Sequence, residues 1–457
     1  MNLQSTQVAR ATVTEGNRLT LDDDLFVRAH RVLGIPVVNQ TVWRFDRPLD
    51  PTEVERLDLG LREGPLARSI RRSRIPGARD SWVPSSGGGP VHVATSPLQP
   101  GDVLAWAQER AAEPLDPWSG PTWNLAAAST TDGGSVLSYL TPHVVCDGGA
   151  HVAALVAAVQ GGGLGRLPAE GPAPTVRDDL RDAVRQVGLA LRGGATAARD
   201  ALRSSRPPRT DVQTSRDGLL GPDRAGDDAP RLPATVVVDL DARAWDEAAA
   251  RHGGTSNSLL VAVAVEVLLA SGRVEAGRPV RVSLPVSLRG RDDLRSNATS
   301  GVSIDVDTEV ADGVGRVVDL AAVRSQARGA YATLAAGRRD PLGPLTQLLP
   351  DPAVAVLARG VAAPLCLCSN LGQLPATFAA PLGRPATSVL MRSVTQGVTP
   401  SMLRRTRGGL TVWWARHGDT ATLAVLGVDP DHLGDRAALA RLVAATTSRW
   451  GVPSTPW

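Results

Sequence analysis

The sequence contains no lysine, since all 49 of its basic residues are arginine. Catalysis through a lysine Schiff base and phosphate binding by a P-loop lysine are therefore excluded. Cysteine is also scarce: Cys146, Cys366 and Cys368 are too few for a disulfide framework, and the Cys-x-Cys pair has no nearby histidine that would complete a zinc site. We therefore expect a cytoplasmic protein without a metal.

Long hydrophobic runs are missing too. The longest, residues 259–270, is shorter than the roughly 20 residues that cross a bilayer and contains Glu266, so it predicts a buried helix. Residues 1–24 are polar and lack the apolar core of a signal peptide. The charges nearly balance at a formal +3, and no basic patch is interleaved with aromatic residues. A nucleic-acid partner is therefore not expected.

A hydrophobic content of 42% in 457 residues is ample for the cores of two or three domains, or of one large two-lobed unit. Between residues 161 and 231 the composition changes to glycine-rich, proline-rich and then arginine-rich polar sequence. We therefore divide the chain into a first lobe of residues 1–165, an interlobe linker of residues 166–233 and a second lobe of residues 234–457.

The linker includes one amphipathic helix. Its large apolar residues fall on one face at helical spacing, namely Val176, Leu180, Val184, Val187 and Leu191, and arginines lie elsewhere around it. Packing of the apolar face against its own lobe is the favoured interpretation. Peripheral contact with an anionic membrane surface is the alternative.

The most informative segment is a strand that ends at a histidine. Residues 135–140 alternate as a buried strand, His143 follows on a short connector, and Asp147-Gly148-Gly149 forms a sharp turn before an alanine-rich helix over residues 151–159. A neutral imidazole is the obvious general base at neutral pH. The pattern His-x-x-x-Asp-Gly therefore predicts a reactive group held at a strand end.

Four further blocks follow the same order as in a known superfamily. They are Leu19 to Phe26, Pro114 to Leu125, Val280 to Arg291 with Ser296-Asn297, and Leu365 to Pro375, where a strand is predicted to break into a Ser-Asn-x-Gly turn. Together with the histidine motif they resemble the thioester-dependent acyltransferases with the chloramphenicol acetyltransferase-like fold. The nearest resemblance is to the wax ester synthase and diacylglycerol acyltransferase group and to polyketide-associated acyltransferases.

This resemblance implies an α/β fold of two lobes with mixed sheets and an active-site channel between them. His143 would be the general base, Asp147 would hold the loop by pairing with Arg289 rather than with the histidine, and Gly148 would give room for close approach. Weaker candidates for contacts to the oxyanion or to pantetheine are Asn297, Ser369 and Asn370. Cys146 stands at a variable position of the motif and is not expected to be a nucleophile.

The implied reaction is transfer of an acyl group from acyl-CoA or an acyl carrier protein to a hydroxyl acceptor such as a fatty alcohol or diacylglycerol, with no resident cofactor. Relatives in the wax ester synthase group generally carry His-His where this chain has Pro142-His143, which leaves the acceptor class open. One alternative is a specialised-metabolism or condensation-like enzyme that forms an ester or amide from a carrier-bound acyl group. Another is an inactive relative that binds acyl chains or carrier proteins.

Overall fold

The computed structural model describes residues 17–161, 174–201, 212–215, 228–290, 293, 295–308, 317–337, 342–358 and 362–457. Most of the polar segment 204–228 and of the glycine- and proline-rich segment 161–174 lies outside these residues. The strands are β1 (Val37–Phe45), β2 (Arg68–Arg71), β3 (Ser81–Pro84), β4 (His92–Val93), β5 (Asn124–Ser129), β6 (Ser135–Pro142), β7 (Ala234–Asp241), β8 (Val280–Ser287), β9 (Thr299–Val306), β10 (Cys366–Gln373), β11 (Ser388–Thr395), β12 (Leu410–His417), β13 (Thr420–Gly427) and β14 (Ser454–Pro456).

The helices are distributed along both halves of the chain. They are α1 (Leu21–Arg31), α2 (Pro51–Arg62), α3 (Val103–Ala111), α4 (Gly148–Val159), α5 (Val176–Ala201), α6 (Ala242–Arg251), α7 (Ser256–Ala270), α8 (Leu320–Ala335), α9 (Gly343–Leu348), α10 (Asp351–Ala358), α11 (Ala376–Ala379), α12 (Pro400–Thr406) and α13 (Arg436–Arg449).

The first sheet has five strands in the order β11-β1-β6-β5-β4. Every residue of β6 is buried, as its apolar and β-branched composition predicts. β6 pairs antiparallel with β1, which places Pro142 opposite Val38 and brings the end of β6 to the start of β1. β11 comes from late in the sequence, yet it pairs with β1 along its whole length, from Val37 opposite Thr395 to Arg44 opposite Ser388.

The second sheet has seven strands in the order β14-β7-β13-β12-β10-β8-β9, and it mixes parallel with antiparallel pairs. Helix α7 is the predicted buried helix. It is apolar on all sides, it is capped by Thr255, and Leu259 to Val265 are all buried in the core of this half. Strands β12 and β13 form an antiparallel hairpin around Gly418, and Asp319 caps α8.

The two sheets share a core. One cluster of buried side chains combines Val42 and Leu140 from the first sheet with Val237, Trp413 and Leu426 from the second. Since β11 belongs to the first sheet and contacts β12 and β13 of the second, it links the two halves. The site at the end of β6 therefore lies next to elements of both halves.

Helix α5 is present, but its orientation corrects the favoured interpretation from the sequence. The apolar residues Val176, Leu180, Val184, Val187 and Leu191 are exposed, and the adjacent face that carries Asp179 and Asp182 is buried. The buried face is polar because its carboxylates are paired: Asp179 with Arg18 and Arg71, and Asp182 with Arg79. Ion pairs with the body of the protein, rather than apolar packing, hold this helix.

In the part of the chain that the structure describes, no single helix is long and apolar enough to cross a membrane. By length and composition alone, the pair α6 and α7, bent by 87°, passes the same test together.

Candidate functional site

His143 lies on the turn between β6 and α4 and is partly exposed. Its backbone N–H donates to the Val37 carbonyl at 2.8 Å, which extends the pairing of β6 with β1 by one residue. Val145 N–H then donates to the Pro142 carbonyl at 2.9 Å and closes the turn. The histidine is thus fixed by the end of a buried strand, as the sequence predicted.

Asn297, from the other half of the chain, determines the orientation of the imidazole. The Asn297 Nδ2 donates to the Val144 carbonyl at 3.2 Å and to Asp23 Oδ1 at 2.9 Å. Because a carbonyl can only accept, these contacts fix the amide so that Oδ1 faces His143 Nδ1, 3.1 Å away. His143 Nδ1 therefore carries the proton, and Nε2 has the lone pair. Among the described residues, Nε2 takes no hydrogen bond.

Asp23 and Phe26, on the first two turns of α1, complete the setting of the histidine. Asp23 Oδ1 accepts from both the backbone and the side chain of Asn297, at 3.1 and 2.9 Å, and its Oδ2 accepts from Thr20 N–H at 2.8 Å in a capping box. The Phe26 ring stacks on the imidazole with centroids 3.8 Å apart. In the sequence this segment is one of the blocks that carry the resemblance, but neither Asp23 nor Phe26 was predicted to be a site residue. The spacing of three between Asp23 and Phe26, which puts both on one face of α1, was the available signal.

Asp147 has a structural role. It caps α4 by accepting from Ala150 N–H at 2.8 Å, and it accepts from Ala298 N–H at 2.7 Å and from the Thr299 hydroxyl at 2.9 Å. Arg289 Nη2 lies 2.8 Å from Asp147 Oδ1, so the predicted ion pair is present. The His143 Nδ1 hydrogen bond goes to Asn297 and not to Asp147, which separates this site from a serine-protease-like relay.

Arg289 also holds the loop that carries Asn297. Its Nη1 donates to the carbonyls of Asp293 and Arg295, at 2.7 and 2.8 Å, and its Nη2 donates to the Ser296 carbonyl at 3.2 Å. Asp147 N–H in turn donates to the Ser296 carbonyl at 2.9 Å. The motif turn of the first half and the loop after β8 are therefore joined into one unit around a buried ion pair.

The two motif glycines differ in what they accommodate. A Cβ on Gly149 would lie 3.1 Å from Arg289 Nε, tighter than ordinary contact, so the hydrogen-bonded arginine would have to shift by a few tenths of an ångström. A Cβ on Gly148 would lie 3.8 Å from Leu371 Cδ2, which is an ordinary van der Waals distance. The packing of the protein alone therefore does not require glycine at position 148.

The pKa shifts indicate that His143 is neutral and Asp147 is ionised at neutral pH. Burial lowers the pKa of His143 below its usual 6.5, although Asp147 partly opposes this. Burial acts to raise the pKa of Asp147, but Arg289 and the hydrogen bonds from Ala298, Ala150 and Thr299 outweigh it and leave this pKa below its usual value. At neutral pH His143 is therefore uncharged.

The pKa of Asp23 is shifted in the opposite direction from that of Asp147. Burial raises its pKa, while hydrogen bonds from Thr20 and Asn297 and the positive charge of Arg68 act against the rise. Arg68 is itself buried, donates to the Val145 carbonyl at 2.9 Å, and lies 4.5 Å from the centroid of the Trp82 ring. A buried cation therefore balances the carboxylate that orients Asn297.

Cys146 and His151 belong to the packing beneath the motif. Burial raises the pKa of the Cys146 thiol to about 12, and the thiol donates to Thr141 Oγ1 at 3.1 Å. His151 is fully buried between the hydroxyls of Thr41 and Thr141, each 2.8 Å from a ring nitrogen, and burial lowers its pKa to about 3. A thiol held neutral in this way is a poor nucleophile.

The remaining predicted residues lie on β10. The strand does not break into a turn at Ser369-Asn370 as predicted; it continues to Gln373 with an irregularity between Asn370 and Gly372. Asn370 Oδ1 accepts from Gly372 N–H at 2.9 Å, so this side chain stabilises the bulge locally. Leu371, between them, packs against the first-half core and lies 3.8 Å from where a Cβ on Gly148 would be. The oxyanion and pantetheine roles of Ser369 and Asn370 stay predictions.

The amide of Asn297 has no proton free to donate to an oxyanion. It is fully buried, and both protons of its amide are used by Asp23 and Val144. In the described residues, no group of three His, Cys, Asp or Glu side chains is placed to hold a metal ion.

This architecture is the two-lobed fold of the condensation domains and of wax ester synthase, which confirms the predicted α/β fold with mixed sheets. The first condensation domain of the CDA synthetase matches with a TM-score of 0.59 and 15% identity, over 96% of this chain and 97% of that one. Wax ester synthase/diacylglycerol acyltransferase from Marinobacter aquaeolei VT8 matches with a TM-score of 0.55 and 14% identity, over 95% of this chain and all (100%) of that one.

A third similar structure is a variant of the starter condensation domain of rhizomide synthetase in complex with C8-CoA and Leu-SNAC. It has a TM-score of 0.52 and 13% identity, over 99% of this chain and 98% of that one. No protein-family model matches the sequence, and a search of curated protein sequences finds no match.

Proposed function

We propose that this protein is an acyltransferase that moves an acyl group from a thioester to a hydroxyl acceptor such as a fatty alcohol or diacylglycerol. The observation that carries the proposal is the state of His143. Its Nδ1 is occupied by Asn297, its Nε2 is unoccupied among the described residues, and burial lowers its pKa. A neutral imidazole whose Nε2 lone pair is available is suited to general-base catalysis.

The reaction needs little beyond this base, because a thioester is already activated. As the acceptor oxygen attacks the thioester carbonyl carbon, His143 Nε2 takes the hydroxyl proton. The tetrahedral intermediate then collapses, the C–S bond breaks, and the same proton passes to the departing thiolate. The imidazole is neutral again at the end of the cycle, and no covalent acyl-enzyme is formed.

Asn297 and Asp23 act as positioning residues in this scheme. When His143 becomes an imidazolium, Asn297 Oδ1 accepts from the Nδ1–H, and the carboxylate of Asp23 holds the amide in that orientation. We propose that donor and acceptor reach His143 through the channel predicted between the lobes. The partial exposure of His143 beside residues of both halves supports this.

A second candidate is a condensation-like reaction, in which the acceptor is an amine and the donor is bound to a carrier protein. The fold match to condensation domains, at TM-scores up to 0.59, supports this second candidate. The chemistry at His143 would be the same, with an amine in place of the hydroxyl. A mass-spectrometric turnover assay that crosses acyl-CoA and acyl carrier protein with a fatty alcohol, diacylglycerol and an amine separates the two candidates.

The decisive experiment compares His143→Ala with Cys146→Ala in that assay. We expect His143→Ala to lose turnover by about 10²–10⁴-fold, the usual contribution of a general base, and Cys146→Ala to keep most of it. Loss of activity in Cys146→Ala but not in His143→Ala would overturn the mechanism. If the wild-type protein binds acyl thioesters but turns over none of the substrates, the chain is a non-catalytic binding protein instead.

A further inference from the structure

Helix α5 has three faces of different chemistry. At about 3.6 residues per turn, Asp179, Asp182, Gln186 and Ala190 share one face, and all four are buried. The two carboxylates on this face are neutralised by the body of the protein, since Asp179 lies 2.7 Å from both Arg18 and Arg71 and Asp182 lies 2.7 Å from Arg79. The position of the helix is therefore determined by its polar side.

The second face is a line of large aliphatic side chains in contact with solvent. These are Val176, Leu180, Val184, Val187 and Leu191, which are between 46% and 71% exposed. Single exposed apolar residues are normal on protein surfaces, but five aligned on successive turns of one helix are not. In the described residues this is the strongest concentration of exposed aliphatic side chains on one element.

The two short helices α9 and α10 also expose aliphatic side chains. Helix α9 packs against α5 and leads directly into α10. These two helices expose Leu345, Val356 and Leu357, at 44%, 60% and 62%. Helices α9 and α10 therefore add exposed aliphatic side chains to those of α5.

The third face of α5 is basic. Arg177, Arg181, Arg192 and Arg199 are exposed on the side of the helix next to the aliphatic line. Asp178, the remaining acidic residue of the first turn, accepts from Thr175 and lies 3.6 Å from Arg181. Arginine beside an aliphatic face is the composition of helices that lie in the plane of a membrane, with the guanidinium groups at the level of lipid phosphates.

We propose that α5, supported by α9 and α10, is the surface by which this protein binds a bilayer containing anionic phospholipids. The composition favours lipid over a protein partner. Protein interfaces concentrate aromatic residues and methionine at their centre, whereas α5 has neither. The helix would lie along the membrane surface, with the aliphatic line inserted and the arginines at the headgroups. No residue of the acyl-transfer site lies on α5, so this proposal stands independently of the reaction.

The test is co-flotation of the full-length protein with vesicles of phosphatidylcholine alone or with one third phosphatidylglycerol. We expect binding to the anionic vesicles that weakens as salt is added. The double variant Leu180→Gln/Leu191→Gln should reduce the partition coefficient by roughly tenfold or more on both vesicle types. Arg177→Gln/Arg192→Gln should instead reduce only the preference for anionic vesicles.

The matched control is Leu59→Gln on α2, because Leu59 is 61% exposed but lies away from α5. It should bind as the wild type does, and all variants should keep the wild-type melting temperature within a few degrees, since every changed side chain is exposed. Absence of binding to either vesicle, or equal loss in the control, would overturn the proposal. So would a concentration-dependent dimer in light scattering that Leu180→Gln/Leu191→Gln abolishes, because a second copy of the chain would then be the occupant of this surface.

Discussion

Asp23 Oδ1 lies 2.9 Å from Asn297 Nδ2 and 3.1 Å from the Asn297 backbone nitrogen. This pair joins helix α1 to the loop after β8, and the same amide directs its oxygen at His143. The protonation pattern of the candidate base is therefore decided by a carboxylate that does not touch it.

Asp23→Asn should damage the site through the tautomer of His143. The new amide can supply only one acceptor oxygen where Thr20, the Asn297 backbone and the Asn297 side chain now all donate. We expect Asn297 to reorient and kcat to fall by about 10²–10⁴-fold, as when a histidine is held in the wrong tautomer. Nitrogen-15 NMR of the imidazole should show the change directly. Unchanged kcat with an unchanged imidazole spectrum would contradict this role.

The pH dependence of kcat/KM should follow His143. Because a general base works in its neutral form, activity is present above its pKa and is lost as the pH falls through it. Burial lowers that pKa, so we expect the midpoint of the acid limb below 6.5. A midpoint above 6.5 in the wild type, measured with a substrate that does not titrate in this range, would contradict a base whose pKa is lowered by partial burial.

Arg289→Ala should destabilise the fold as well as the site. Asp147 and Arg289 expose only 2% and 9% of their side chains, so removal of the cation leaves a buried carboxylate without its partner. We expect the free energy of unfolding in urea to fall by about 3–5 kcal/mol. Asp147→Asn combined with Arg289→Ala should recover part of this loss, since no charge is then stranded. A double variant less stable than the sum of the single changes would argue against the pairing.

Alanine at the two motif glycines should separate packing from substrate access. Gly149→Ala pushes a methyl group against Arg289 Nε at 3.1 Å and should lower both stability and activity. Gly148→Ala meets only ordinary contact with Leu371, so the melting temperature should stay close to that of the wild type. A rise in KM for Gly148→Ala would assign the space at residue 148 to substrate, and wild-type kinetics would remove Gly148 from the site.

Local patterns in the sequence were sufficient to predict the helices and strands around His143 and some, but not all, of the residues at the site. Alternation and turn residues predicted β6 and the position of His143, and the resemblance implied the pairing of Asp147 with Arg289. The helix predicted from residue 151 begins earlier, at Gly148, because Asp147 caps it. Asp23 and Phe26 were missed as site residues because their partners are remote: Asp23 and Asn297 are 274 positions apart. Sequence periodicity has no access to such a pairing.

The orientation of helix α5 could also not be predicted from the sequence. Periodicity correctly grouped Val176, Leu180 and Val184 on one face, but it cannot decide which face is turned inward. Which face is buried is determined by arginines on other segments, Arg18, Arg71 and Arg79, which neutralise the carboxylates on the adjacent face. Burial of a helix face follows the whole free-energy balance of its surroundings, and here paired charges outweighed the aliphatic side chains.

Because β11 pairs with β1, the first sheet is completed only late in synthesis. β1 pairs on one side with β6 and on the other with residues 388–395, so that sheet stays open along β1 until most of the chain has been translated. Pairings between strands so distant in sequence form slowly, and an unpaired strand edge invites association with other chains. During synthesis β1 therefore has an unpaired edge until residues 388–395 have been made.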